Sequence, residues 1–525
     1  MHLETLIDDL GSFGIYQMIL IPTLSLAVLV LGPTMLMMAF AGVEPDWWCT
    51  SQHLLPSQWN VSYANGSYQN CLWNGTCERK FSDEMETAVT EWNLVCQMSW
   101  VSNAIISIQM VGVLVGTVIA GYCADAYGRK KVFYSGLLLI FLGNTASAFS
   151  VSWVMFTVLR AVLGIACSFI LSTTYLYQIE FVGKKWRALI SSLPTWSVSI
   201  MMFSLLAKLL HNWKWLHLAT AALTFPILFT WFFVPESLRW LAVKGRVEEA
   251  RRVINKMAAY NKKPVPDTSI LELIAEEEKA EGDKAKSYTY IDLLKTKKLA
   301  RKTIFSCYIW FSCSIVYYAI SFGLKNLSGD FYLNMLLMAL TELPITPCII
   351  VVTSLFGRRV CAAFAFLLTA AGCFGLAIST RLAPVEDKGN YINACALTAK
   401  CTTLLGWLVV QALCVEQYPT VIRNLGYAAM NSGARIGGIL AGLVLSLGGS
   451  KDLMVPFIAL GIVVCVTVLA TLGLDETRGK ALEDTMKTCT PETHEKGRLL
   501  LWEGQGGSTV PRDDQPDKLA EKVVS

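Results

Sequence analysis

The chain reads as an all-α polytopic membrane protein, with twelve transmembrane helices in two six-helix bundles and a large extracellular loop between helices 1 and 2. Three observations lead there. Of its 525 residues, 54% are hydrophobic and 16% charged, against about 25% charged in soluble domains. Apolar runs of about 20 residues recur along it, each long enough to cross a bilayer. The same polar signals also occur twice in one order. Gly128-Arg129-Lys130-Lys131, preceded by Gly121 and Asp125, is matched by Phe356-Gly357-Arg358-Arg359, 229 positions from glycine to glycine. Glu180 with Arg187 is matched by Glu416 with Arg423, a shift of 236, and Pro235-Glu236-Ser237 with Arg239 by Asp475-Glu476-Thr477-Arg478, a shift of 240. Duplicated sets of apolar helices are a building plan of membrane transporters.

In chain order, residues 1–17 form a cytoplasmic N-terminus. It is acidic (Glu4, Asp8, Asp9), and the first apolar run is too long for a cleavable signal peptide. Spans are placed at roughly 18–42, 99–121, 132–150, 153–177, 188–210 and 214–234, then 303–324, 330–355, 358–380, 391–415, 424–449 and 453–474. Residues 18–234 make the N-terminal bundle, 235–302 a charged cytoplasmic linker with helical patches at 245–257 and 271–279, 303–474 the C-terminal bundle and 475–525 a polar cytoplasmic tail. The polar segment 43–98 holds glycosylation sequons at Asn60, Asn65 and Asn74, and four cysteines, Cys49, Cys71, Cys77 and Cys96. That combination places it outside the cell, with disulfides in one of three pairings. Asn326 begins a further sequon close to a span end and is expected to be unused. Basic residues (Arg129, Lys130, Lys131, Lys184, Lys185, Arg187, Arg358, Arg359, Arg423) fall in alternate loops. By the positive-inside rule these loops and both termini are cytoplasmic.

Charges inside spans are the candidate functional residues, because a charge at bilayer depth costs several kcal/mol unless it meets water or a partner. Glu342 lies in span 8, Lys400 in span 10 and Arg435 in span 11. They imply either a polar cavity between the halves or a structural pair, Glu342 with Arg435 or Glu342 with Lys400. Arg160, near the start of span 4, reads as structural. Trp310, Tyr317 and Tyr318 in span 7, and Tyr175 and Tyr177 in span 4, could offer ring faces to a cation. Trp310 and Tyr317 are seven apart and share a helix face. Gly112/Gly116 and Gly438/Gly442 are small-xxx-small pairs that permit close helix approach. There is no His-Glu-x-x-His, no Gly-x-Ser-x-Gly and no Walker motif, and the five histidines form no ligand cluster. An enzyme, a metal site and ATP drive are thereby disfavoured. No cofactor is expected, and coupling to sodium or protons stays open. The partners expected are a small organic ion and the lipid bilayer, with no nucleic acid, for a protein working as a monomer. A non-transporting receptor on the same scaffold is the competing class.

These motifs, in this order, resemble the major facilitator superfamily and, within it, the organic-ion transporter branch, solute carrier family 22. The strings that carry the likeness are Leu10-Gly11-Ser12-Phe13-Gly14, Glu91-Trp92-Asn93-Leu94-Val95-Cys96, Pro235-Glu236-Ser237-Leu238-Arg239-Trp240-Leu241 and Glu416-Gln417-Tyr418-Pro419-Thr420-Val421-Ile422-Arg423-Asn424. The resemblance implies alternating access at the plasma membrane. It assigns gating to Asp125, Arg129, Glu180, Arg187, Glu236 and Arg239 in one half, and to Glu416, Arg423, Glu476 and Arg478 in the other. Ser354 stands where the second-half acid of the first motif would be. It further implies that Trp310, Tyr317, Tyr175 and Gln411 line a substrate pocket with Glu342, Lys400 and Arg435. Cation-preferring members tend to carry an acid where Arg435 stands, and anion- or zwitterion-preferring members an arginine. A span 8 acid such as Glu342 is typical of cation and zwitterion members. Both signs together imply a zwitterion, of betaine or amino-acid-derivative type, or an organic cation, with an organic anion as the farther alternative. A lysine and a tryptophan of span 4 in cation members are replaced here by Ser168 and Leu171.

Overall fold

A computed structural model of the chain describes residues 2–49, 79–183, 186–187, 190, 193–273, 290–323, 327, 329–384, 386–418, 422–447 and 453–477. Within them run twelve helices of sixteen residues or more. The first six are α1 (Ile15–Ala41), α2 (Trp100–Tyr127), α3 (Arg129–Ala148), α4 (Trp153–Ile179), α5 (Thr195–Leu210) and α6 (Trp213–Leu228). The second six are α7 (Lys297–Gly323), α8 (Phe331–Phe356), α9 (Arg358–Leu382), α10 (Lys388–Val415), α11 (Arg423–Ser446) and α12 (Met454–Leu472). Nine are long and apolar enough to cross a membrane, α6 by running on to Phe232. The others are α5 with its 16 residues, α8, whose apolar run is Phe331–Ile345, and α3, which opens on Arg129-Lys130-Lys131.

Two sharp turns need glycine. Gly128 joins α2 to α3 at φ +106°, and Gly357 joins α8 to α9 at φ +83°, where an L side chain is strained. The helix N-termini that follow each receive a carboxylate. Glu236 accepts from the backbone N–H of Lys130 (3.0 Å), and Glu476 from those of Arg358 (3.2 Å) and Arg359 (2.9 Å). A carboxylate there satisfies orphan donors and complements the helix dipole. The repeated motifs thus have a structural reason: each acid caps the helix that its partner motif begins.

Within each half the backbones approach at small residues. A Cβ on Gly112 would strike the Ala161 carbonyl, and one on Gly116 would lie 2.7 Å from Ile165 Cα, so α2 rides directly on α4. In the second half, Gly433 and Gly437 press the carbonyls of Cys307 and Phe311, so α11 rides on α7. The Gly112/Gly116 expectation therefore holds within a half, while Gly438 and Gly442 face the other half. The buried Arg160 joins α1, α2 and α4, donating to Thr34 O (2.7 Å) and Gln109 Oε1 (2.5 Å). Its expected structural role fits this geometry.

At one end of the molecule, β1 (Trp47–Cys49) pairs antiparallel with β2 (Arg79–Phe81), Trp47 opposite Phe81. Beside this pair the chain before α2 is tied to the start of α6 by Lys214–Glu91 (2.7 Å) and by Trp92 against Trp213. Cys96 is disulfide-bonded. Asn60, Asn65, Asn74, Cys71 and Cys77 lie outside the described residues. The opposite, basic end carries the Gly128 and Gly357 turns. There the N-terminal segment is folded rather than merely polar. A helix, His2–Asp9, is followed by a loop in which Phe13 stacks on Trp186 (4.9 Å). The Asn261 side chain accepts from Tyr16 N (2.9 Å) and donates to Leu10 O (2.8 Å). Asn261 ends the linker helix Val247–Asn261, so this linker is docked on the first half.

The hydrogen bonds between halves, among the described residues, lie at the sheet end and the middle. Asn103 donates to Ser446 Oγ (3.0 Å), Ser107 to Ile439 O (2.8 Å) and Ser204 to Tyr332 O (2.8 Å). A Cβ on Gly442 would lie 2.7 Å from both Asn103 O and Ser107 Oγ. The sheet end is shut by these small side chains and hydrogen bonds and by Phe40 of α1 packed on Phe331 (6.2 Å) and Tyr332 (6.3 Å) of α8. Gly442→Leu should wedge α2 from α11 and shift the population away from this closure. Thiol labelling of Asn103→Cys in that background should speed up severalfold, and an unchanged rate would refute the wedge.

Candidate binding site between the halves

Near the middle of α8, Glu342 is fully buried and its carboxylate is held from three helices. Ser197 on α5 donates to Oε2 (3.1 Å) and Tyr317 on α7 to Oε1 (3.1 Å). Lys400 on α10 stands 3.8 Å from Oε1. Trp196 Nε1 donates to the Tyr317 hydroxyl (2.7 Å), so a second residue of the first half reaches the same acid through that phenol. The Lys400 ammonium lies over the Tyr317 ring, 3.1 Å from its centroid, and donates to Ser321 Oγ and to Tyr317 O (3.5 Å). Of the two pairings open in the sequence, the described structure makes Glu342–Lys400. Glu342 and Arg435 form no ion pair among the described residues.

Arg435 occupies the other side of Tyr318. It acts on the Tyr318 hydroxyl and on the Cys167 thiol of α4, and its Nε is buried without a hydrogen-bond partner. A run of rings leads away from Tyr317. Tyr317 meets Tyr318 (5.6 Å) and Trp407 (5.9 Å), Trp407 meets Trp310 (6.3 Å), and Trp310 meets Tyr427 (5.5 Å). Tyr175 on α4 stands across the seam near Tyr427 and Arg187. Thus Glu342, Lys400 and Tyr317 come together, and Trp310, Arg435 and Tyr175 border the same seam. Gln411 is half-buried on α10, one turn beyond Trp407. A small cavity opens beside the pair, between Leu36, Ala39 and Ile200 of the first half and Met335 and Met338 of the second.

Sequence reasoning missed Trp196, Ser197, Ser321, Trp407 and Tyr427. Two had a signal: Trp407 is seven residues from Lys400, and Tyr427 eight from Arg435, so each shares its charge's helix face. Trp196 and Ser197 had none, since no charge marks the start of α5.

Of the expected gating residues that are described, Asp125, Arg129, Glu180, Glu236 and Arg239 gather at the basic end in one cluster, and Glu416 and Glu476 about Arg358 in another. Arg129 pairs with Asp125 (3.0 Å) and Glu180 (3.4 Å), and Arg239 acts on Glu180. Burial pushes the Glu180 carboxyl above its ordinary value, while Arg129, Ser237 and Arg239 pull it back. Arg187 stands near Tyr175. In the second half Glu416 pairs with Arg358, a residue outside the expected gating set. Arg423 donates instead to Tyr418 O (3.3 Å). Arg478 lies outside the described residues. Glu416 with Arg358 is the counterpart of Glu180 with Arg129.

Residues 59–487 match the sugar (and other) transporter family. The chain is 30% identical to the "Organic cation transporter protein" of Drosophila melanogaster, over 95% of this chain and 97% of that one. It is 31% identical to the human "Organic cation/carnitine transporter 2", over 77% and 71% of the two chains, and 29% identical to the bovine "Solute carrier family 22 member 7", over 78% and 74%. Its fold is similar to that of the xylose transporter XylE from E. coli in an inward open conformation, with a TM-score of 0.63 at 15% identity, covering 89% of this chain and 98% of that one.

The Glu342–Lys400 pair makes a stability prediction. Glu342→Leu strands a buried ammonium and should cost about 3–5 kcal/mol, whereas Glu342→Leu with Lys400→Met should recover most of that loss. Thermal unfolding of the purified protein measures both. Additive losses in the double variant would show that the two charges do not interact.

Proposed function

The chain belongs to the sugar (and other) transporter family of the major facilitator superfamily, in the organic-ion branch, solute carrier family 22, and from that premise we propose how it handles its substrate. It is a membrane transporter of organic ions and not an enzyme. The finer reading is alternating access by two bundles rocking about the Glu342–Arg435 seam at the plasma membrane, favouring small organic zwitterions, with organic cations next.

The observation that carries this reading is the placement of both charge signs at bilayer depth where the two halves meet. Charges there are costly unless they serve a partner or a ligand. Arg435 has no carboxylate partner among the described residues and suits a substrate carboxylate through charge-assisted hydrogen bonds. Glu342 and the Tyr317 ring suit a cationic centre. Two charges of opposite sign at one seam suit a molecule that carries both. One relative's name joins cations to carnitine, itself a quaternary ammonium with a carboxylate.

With the basic end facing the cytoplasm, a shut sheet end makes this the inward-facing arrangement. The basic-end clusters then serve as staples that keep each bundle rigid while it rocks. Arg129–Glu180 and Arg358–Glu416 each tie a turn to a neighbouring helix of the same half. Rigid bundles convert breakage of a few seam contacts into exchange of access.

The test is uptake of three charge classes, each with and without sodium: a quaternary-ammonium carboxylate, a monovalent organic cation and an aromatic monoanion. The zwitterion should be taken up preferentially. Arg435→Ala should cut its uptake about ten- to a hundredfold, the worth of a charge-assisted hydrogen bond, while sparing the cation. Equal loss for both at normal surface expression would make Arg435 structural. Arg358→Ala should slow uptake of every class alike, because it loosens a bundle and touches no ligand. A loss confined to one class would contradict the staple role.

A further inference from the structure

Lys400 stands where the cationic centre of a substrate would stand. A subsite for an organic cation needs a ring face and a carboxylate, and here the ring is Tyr317 and the carboxylate Glu342. Both are already engaged by the Lys400 ammonium, at 3.1 Å from the ring centroid and 3.8 Å from Oε1. This occupant is covalently tethered and buried, at 2% exposure. A tethered group competes at high effective concentration.

We propose that Lys400 is a built-in competitor for the cation subsite, which a substrate must displace, and that this competition biases the transporter toward zwitterions over simple cations. The inference deepens the functional reading above and rests on it. In the closed site the Glu342 charge is neutralised from within, so Arg435 is the charge on offer and a carboxylate binds first. The cationic group then moves the ammonium off the Tyr317 ring and away from Glu342.

The structure provides for that movement. The ammonium already donates to Ser321 Oγ and Tyr317 O, so it keeps two acceptors as it withdraws. Met335 and Met338 line the cavity alongside, and methionine repacks readily. Charge balance supplies the selectivity. A monovalent cation adds a positive charge to a buried site that holds Lys400 and Arg435 against one carboxylate. A zwitterion brings its own carboxylate, so the balance is unchanged. Like charges at low dielectric repel strongly, and the simple cation carries that cost alone.

The experiment compares the full-length wild type with Lys400→Met and Lys400→Gln. Binding of tetraethylammonium, glycine betaine and benzoate to the purified proteins is measured, with uptake of each in parallel. Lys400→Gln keeps a hydrogen-bond donor for Glu342, so the test survives if the methionine variant fails to fold. Tetraethylammonium should bind about tenfold or more tighter in the variants, and benzoate should bind more weakly. The preference for betaine over tetraethylammonium should shrink or reverse. A wild-type ratio in a folded variant, or parallel loss of all three ligands in the variants, overturns the inference while the wild type's uptake leaves the functional reading standing. A wild type that binds and moves none of the three overturns the functional reading and this inference with it.

Discussion

A carboxylate buried at mid-membrane is the constraint around which the rest is arranged. Glu342 is fully buried, and Lys400, Tyr317 and Ser197 converge on it, with Trp196 behind Tyr317. Two of those groups, Trp196 and Ser197, come from the first half. The seam therefore closes on the acid. Elsewhere the seam holds Gly438 and Gly442 against α2, single hydrogen bonds from Asn103, Ser107 and Ser204, and the ring of Phe40 against Phe331 and Tyr332. The polar contacts around the acid are ones that a ligand can exchange for its own, while apolar residues of both halves pack around them.

The duplication is clearest at the basic end and fades toward the middle. Arg129 with Glu180 is repeated by Arg358 with Glu416, and Glu236 at the start of α3 by Glu476 at the start of α9. In the membrane interior the halves have diverged. The second half supplies Glu342, Lys400 and Arg435. The first half's buried Arg160 is engaged with Thr34 and Gln109 inside its own bundle. Symmetry has been kept where both halves need the same rigidity and lost where one ligand needs one environment.

Much of the fold was legible from hydropathy and repeat, because span length and positive-inside bias are local properties of the chain. The site was legible in part. Glu342, Lys400 and Arg435 stand out as charges in apolar runs, but their pairing depends on how helices are arranged around each bundle. α8 packs against α5 and α10, and that neighbourhood is not encoded in the order of the spans. Arg358, the partner of Glu416, was missing from the expected gating set, although the repeat pointed to it through Arg129. Trp196 and Ser197 carried no charge or period to reveal them. The folded N-terminal segment went unread because its clamp, Asn261, lies some 245 residues away in the chain.

Alternating access between the two halves is the central claim, and distances across both ends of the seam test it directly. Spin labels would be placed at Trp100 and Leu447 for the sheet end, and at Tyr127 and Phe356 for the basic end, all exposed positions. Pulsed electron paramagnetic resonance would follow both pairs as a transported ligand is titrated. Alternating access predicts opposite changes: the population with a long sheet-end distance grows as that with a long basic-end distance falls. Distances that stay fixed at both ends, or lengthen at both together, while the labelled proteins still take up ligand would contradict it.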